Sequence, residues 1–365
     1  MKQTEMVGKA QTVLGPIDAD SLGVTLTHEH LIIDFTRIVT ATAPGFIEPT
    51  DPEGKEFAYQ PVKLENLYWV RFNKWSNLDN MQLLDTQLII DDVKHFKQAG
   101  GSTIVSQSVR AHGSDPLKLV EISRATGVNI IMVSGNYVAK THPPELATMT
   151  EEEIANQIIR DITLGIGDTG VRAGLIKGAT GSSPEVRIQE GERKVLRACA
   201  LAQRRTGAAI GIHEPRKQLA WEVLETLGDA GADLSRTILY HVDLWGTELP
   251  ALPRLLQTGC YLEFDTFGNE TGMIPPFPDR PDSLSDSQRC DVIMNIIALG
   301  YPKQILISQD IFLKHRLAAF GGCSHAHILR HVLPLMRYKG ISDEQIHTIM
   351  VENPKRVLAF VPAKQ

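Results

Sequence analysis

Cysteine is scarce in this chain: Cys199, Cys260, Cys290 and Cys323 are the four in 365 residues. None falls in a Cys-x-x-Cys spacing, so no disulfide framework is indicated, and buried free thiols in a reducing compartment are expected. Long apolar runs are also missing. No stretch of about 18 apolar residues occurs, so no membrane span is expected. The opening Met1-Lys2-Gln3-Thr4-Glu5-Met6 lacks an apolar core of signal-peptide length. The expected location is therefore the cytoplasm. Nor is there an excess of positive charge: the net charge of −6 argues against a dedicated nucleic-acid binder. What remains, 42% apolar and 22% charged residues, is ordinary for a soluble protein with a large core.

Short apolar runs alternate with segments of helical period, the pattern of βαβ units. Strands are predicted near 23–27, 102–107, 129–134, 172–177, 208–213, 237–241, 260–265 and 304–309. Eight strands with intervening helices predict an α/β fold, a (β/α)8 TIM barrel, with residues 1–365 read as one domain. Helices are expected at 150–165, where Thr150 and Glu153 can form a capping box, and at 190–206, which is amphipathic. A last helix is expected to start at Asn353-Pro354, with Asn353 as cap. About 75 residues separate the first two strands. Of these, 40–62 is rich in turn signals, whereas 63–80 carries Leu64, Leu67, Tyr68, Trp69, Phe72 and Trp75. That apolar density must bury against something, so 40–80 is read as an insertion on the catalytic face: lid, pocket wall or dimer contact. A second long stretch, 268–284, opens on the same face.

Thr27-His28-Glu29-His30 follows the apolar run Gly23-Val24-Thr25-Leu26. His-x-His on an extended backbone places both imidazoles on one face, where two neutral nitrogens can grip a divalent ion. The motif also arises by chance. Four more candidate ligands stand at predicted strand ends: Lys177, His213, His241 and Asp310. Barrel strands converge at their C-terminal ends, so the six meet at one point and are enough for two metal ions. Each has a bland alternative. A strand-end histidine can be a hydrogen-bonded core residue, Asp310 a helix cap, and Lys177 the partner of a carboxylate. Together they point to a metal-dependent hydrolase. His112, His142, His315, His325 and His327 are assigned surface roles.

The order and setting of these residues resemble the phosphotriesterase-like branch of the amidohydrolase superfamily, over essentially the whole chain. Gly15-Pro16-Ile17, Gly165-Ile166-Gly167-Asp168-Thr169-Gly170, Ala173-Gly174-Leu175-Ile176-Lys177 and Glu352-Asn353-Pro354 carry the likeness further. The resemblance implies a binuclear site, with His28, His30 and Asp310 on the α metal and His213 and His241 on the β metal. Lys177 would bridge both as a carbamate made with carbon dioxide. Zinc is the first expectation for the metal, with manganese, cobalt or iron as alternatives. A homodimer is implied by resemblance alone.

Two metals would supply a hydroxide near neutral pH and polarise the scissile group, with Asp310 taking and returning the proton. Asp243 and Asp265 are expected to support the ligands from behind. Tyr137 is a candidate contact to the hydroxide or substrate. Phosphotriesterases carry a relay histidine after the strand-seven aspartate, where Phe264-Asp265-Thr266-Phe267 has Thr266. That departure favours a lactone or carboxylic ester as substrate, with a phosphotriester as the alternative; an amide is a further bond the same site could cut. Arg280, Lys314 and Arg316 are candidates to bind an anion on such a substrate, for instance the phosphate of a sugar lactone. A scaffold barrel without activity is disfavoured because the ligand set is complete.

Overall fold

The computed structural model describes residues 5–39, 46–181, 186–214, 216–246, 252–270 and 284–364. Two short strands, β1 (Lys9–Thr12) and β2 (Gly15–Asp18), form an antiparallel hairpin. The barrel begins with β3 (Thr25–Glu29). Next, β4 (Ile33–Asp34) pairs antiparallel with β5 (Gln82–Leu83) at the base of the insertion. The remaining barrel strands are β6 (Thr103–Ser106), β7 (Asn129–Gly135), β8 (Leu175–Ala179), β9 (Ile210–His213), β10 (Thr237–Leu239), β11 (Tyr261–Phe264) and β12 (Ile305–Ile307).

Eight parallel strands pair in the order β3-β6-β7-β8-β9-β10-β11-β12. The two outer strands meet at their C-terminal ends through Asp310 N–H to His28 O (3.1 Å) and His30 N–H to Ile311 O (3.2 Å). The sheet is thereby nearly closed into a barrel. Both faces of each strand are buried, which is why these segments read as near-continuous apolar runs.

Two apolar layers hold it. Outside, helices bury one stripe each on the sheet. Helices α1 (Pro52–Phe57) and α2 (Leu64–Phe72) lie in the insertion, followed by α3 (Thr86–Gln98), α4 (Pro116–Thr126), α5 (Glu151–Thr163) and α6 (Glu190–Thr206). The Thr150–Glu153 capping box starts α5 as expected. Inside, Val105, Ile131, Val133, Leu175, Ala209, Ile238 and Leu306 fill the lower barrel together with Ala10 and Leu22. Above them Tyr240 Oη, fully buried, accepts from Gln107 at 2.8 Å. A side chain at Gly211 would stand 1.8 Å from that hydroxyl, so glycine is required there.

Several expectations need correcting. Strand β8 runs on to Ala179, placing Lys177 within the strand rather than at its end. Asn353 is not a cap: the chain is already helical before it, and its Nδ2 donates to Pro302 O and Ile305 O. In the insertion, Leu67 and Val70 bury with Val62, and Trp75 packs on Phe35 and Phe312 at 5.5 and 5.6 Å. Leu64, Tyr68 and Phe72 stay exposed, so its apolar density is only partly absorbed. Segment 40–45, most of 268–284 and Arg280 lie outside the described residues. All four cysteines are free, and burial pushes the Cys199 thiol up to about 12.

Candidate metal centre

Three imidazoles are oriented from behind by oxygen atoms. Asp265, just past β11, accepts from His241 Nδ1 at 2.8 Å and lies 2.9 Å from His28 Nδ1. His30 Nδ1 meets Ser108 Oγ at 2.8 Å. With Nδ1 of His30 and His241 hydrogen-bonded and that of His28 facing Asp265, their Nε2 lone pairs are left for a ligand. Asp310 Oδ1 lies 3.5 Å from His28 Nε2 and 3.3 Å from His30 Nε2. That oxygen is buried and makes no hydrogen bond. His213 Nδ1 lies 2.8 Å from His241 Nε2, and its own Nε2 lies 3.2 Å from Tyr137 Oη.

Local backbone explains how these side chains reach one another. His241 and Asp310 both adopt left-handed φ, +64° and +49°, at the turns leaving β10 and β12. Non-glycine residues adopt this region at a cost that clusters at functional sites.

Lys177 completes the set. Its side chain is almost fully buried, with Nζ 4.1 Å above the Tyr240 ring. Burial lowers its pKa from 10.5 to about 7, against the opposing pull of Asp310, Asp265 and Glu263. A buried amine near neutrality is the reactive form of lysine. Burial likewise holds His28 well below the usual imidazole range, helped by Lys177 and the neighbouring histidines, so it is a neutral donor. For Asp310 burial pushes upward, but His30, His241 and Lys177 beside it bring it below its ordinary value.

Converging imidazole lone pairs, an orphaned carboxylate oxygen and a desolvated amine fit divalent metal ions. Among the described residues, the donor atoms of His28, His241 and Asp310 all lie within 4.8 Å of one another. A second group, His28 with Glu263 and Asp265, is equally compact. We favour the first, because Asp265 is already engaged by two imidazoles.

Other expected residues are placed differently. Asp243 is engaged by Thr266 and Arg289: its Oδ2 accepts from Thr266 N, Thr266 Oγ1 and Arg289 Nε. Arg316 is buried, donating to Gln309 O and Phe267 O, and Lys314 pairs with Asp79. Both cations are thus committed within the protein rather than offered to an anion. His112, His315 and His325 are buried, contrary to the surface roles expected for them. Glu29, inside the His-x-His motif, went unassigned in the sequence: it accepts from Ser308 Oγ, Gln309 N and Ile311 N. Its place between two ligands was the available signal.

Beside Tyr137 a cavity of about 220 Å³ opens, lined by Arg37, Val109, Arg110, Asn136, Thr141 and Glu145 among others. It adjoins the cluster through the Tyr137–His213 contact.

The phosphotriesterase family model matches residues 8–358. An N-acetyltaurine hydrolase of Dictyostelium discoideum is 36% identical, the match covering 98% of this chain and 100% of the relative. One from Danio rerio is 37% identical, with coverages of 98% and 99%. The crystal structure of a resiniferatoxin-binding protein from Rhodobacter sphaeroides superposes with a TM-score of 0.88 at 34% identity, covering 96% of this chain and 95% of that one. Match and geometry agree: the chain belongs to the phosphotriesterase family and is a metal-dependent hydrolase.

Proposed function

We propose that the protein hydrolyses the acyl bond of a small N-acylated amine that carries an anionic group, a substrate of the N-acetyltaurine kind. The observation that carries this reading is the cavity at Tyr137. Arg37 and Arg110 both line it, and neither makes an ion pair with a carboxylate among the described residues. Two guanidinium groups at the mouth of a small pocket suit a sulfonate or carboxylate. The relatives named for N-acetyltaurine act on a compound of that class.

His28, His30 and Asp310 would hold one metal ion and His213 and His241 the other, with Lys177 joining them as a carbamate. Bound metals supply an acidified water and polarise the acyl oxygen. Asp310 would accept the proton of the attacking water and return it to the leaving nitrogen. Asp265 keeps His28 and His241 in the required tautomer. Arg37 and Arg110 fix the far end of the substrate.

A second reading, a lactone or carboxylic ester, draws on Thr266. Its hydroxyl donates to Asp243 and accepts from Arg289 Nη2 at 2.7 Å. Nothing there can shuttle protons as a histidine does, which disfavours a phosphotriester and suits a ring opening that returns a single proton.

The test is metal content together with kcat/KM on N-acetyltaurine, its uncharged N-acetylethylamine analogue, sugar-acid and acyl lactones, and a paraoxon-like triester. We expect about two metals per chain and preference for the anionic amide. Activity and metal should both fall in Lys177→Ala. The double variant Arg37→Ala/Arg110→Ala should lose roughly tenfold or more on the anionic amide and little on the neutral one. Lactones turned over tenfold better than the amide would establish the second reading. No turnover of any acyl substrate by metal-loaded protein would sink both.

A further inference from the structure

His112 closes a tight turn, Arg110–His112, in the loop that leaves β6. Its ring is 2% exposed. The Val109 N–H donates to its Nδ1 at 3.1 Å, while its own N–H returns to Val109 O at 2.9 Å. A ring nitrogen that accepts from an amide N–H carries no proton, so the proton of the neutral imidazole resides on Nε2.

The ring packs against both His30 and Tyr137. Its centroid is 5.6 Å from His30 and 4.5 Å from Tyr137, whose hydroxyl meets His213. Among the described residues no acceptor engages Nε2, yet that atom is not sealed in as a buried polar orphan. Val109, Arg110 and Ala111, which precede it, line the cavity beside Tyr137. The loop that lines the cavity therefore carries an imidazole of fixed tautomer, packed between the candidate ligand His30 and Tyr137.

We infer that His112 is a catalytic residue whose Nε2–H donates a hydrogen bond to the scissile-group oxygen of the bound substrate. The bond strengthens as negative charge builds on that oxygen, which is when a fixed dipole contributes most. No proton is transferred. Nδ1 is occupied by Val109, so the ring cannot relay a proton from one nitrogen to the other, and proton movement stays with Asp310. The inference rests on the hydrolase reading of this site but not on which acyl bond is cut.

Two variants separate donation from packing. His112→Phe keeps an aromatic ring against His30 and Tyr137 and removes the N–H; His112→Gln keeps an N–H near the position of Nε2. Both are measured for metal content, kcat and KM on the best substrate of the panel above. Long-range nitrogen–proton NMR reads the tautomer of the wild-type ring. We expect two metals in every protein, a fall in kcat of about 100-fold in His112→Phe with KM little changed, and recovery of about tenfold in His112→Gln. The ring should show its proton on Nε2. Wild-type kcat in His112→Phe, loss of metal that accounts for the whole defect, a Gln variant no better than Phe, or a proton on Nδ1 would each overturn the inference. Absence of wild-type turnover on every acyl substrate would instead overturn the function proposed above.

Discussion

At Lys74 the free energy of a buried charge becomes readable in pH. Its side chain, 5% exposed, donates to Asn269 Oδ1 at 3.0 Å and has no carboxylate partner among the described residues. Burial, with Arg316 and Arg289 adding repulsion, lowers its pKa from 10.5 to about 8. The unfolded chain therefore binds this proton more tightly than the folded one. The destabilisation is fully present below pH 8 and fades as pH rises towards 10.5, so this group makes stability climb through that window. Its size is about 3 kcal/mol, at roughly 1.4 kcal/mol per unit. Lys74→Met should melt higher than wild type at pH 7 and lose the rise between pH 8 and 10.5. A lower melting temperature with the alkaline rise intact would show that the ammonium is instead stabilised where it sits.

Elements were legible in the sequence where period and position carry the signal, and less so where tertiary contacts decide. All eight barrel strands overlap the apolar runs read from the sequence, because a strand buried on both faces has few polar positions to blur it. Their ends were read less well. β8 overruns to Ala179, and His241 and Asp310 lie beyond their strands on left-handed turns that no propensity marks. The insertion could be placed but not its grip on the barrel, which depends on Asn80. Its Oδ1 accepts from His315 N at 2.9 Å and its Nδ2 donates to Lys74 O at 3.0 Å. A lone asparagine has no period, so nothing announces it. Asn80→Ala strands a buried donor and a buried acceptor and should cost about 1–3 kcal/mol. Limited proteolysis should then cleave the insertion sooner, and KM should rise more than kcat if the insertion walls the pocket. Unchanged proteolysis would place the grip in the apolar contacts of Trp75 and Val70.

Over the whole molecule, the weakest place in a nearly closed sheet is the seam where its first and last strands meet. Here that seam is also where ligands from both strands must align. His28 N–H donates to Ser308 Oγ at 3.0 Å, and Glu29 gathers Ser308 Oγ, Gln309 N and Ile311 N at 2.7 to 2.9 Å. These bonds fix Asp310 opposite His28 and His30, so closure of the barrel and assembly of the metal centre become one event. Glu29→Gln keeps the shape but turns an amino group towards at least one backbone N–H. We expect a loss of about 1–3 kcal/mol in the metal-free protein, seen as a lower melting temperature. Because the same bonds position Asp310, metal affinity should fall by roughly 10–100-fold. If stability falls while metal affinity holds, the seam closes the barrel without setting the ligands, and Asp310 must be positioned by its own left-handed turn and the Arg316 contact to Gln309.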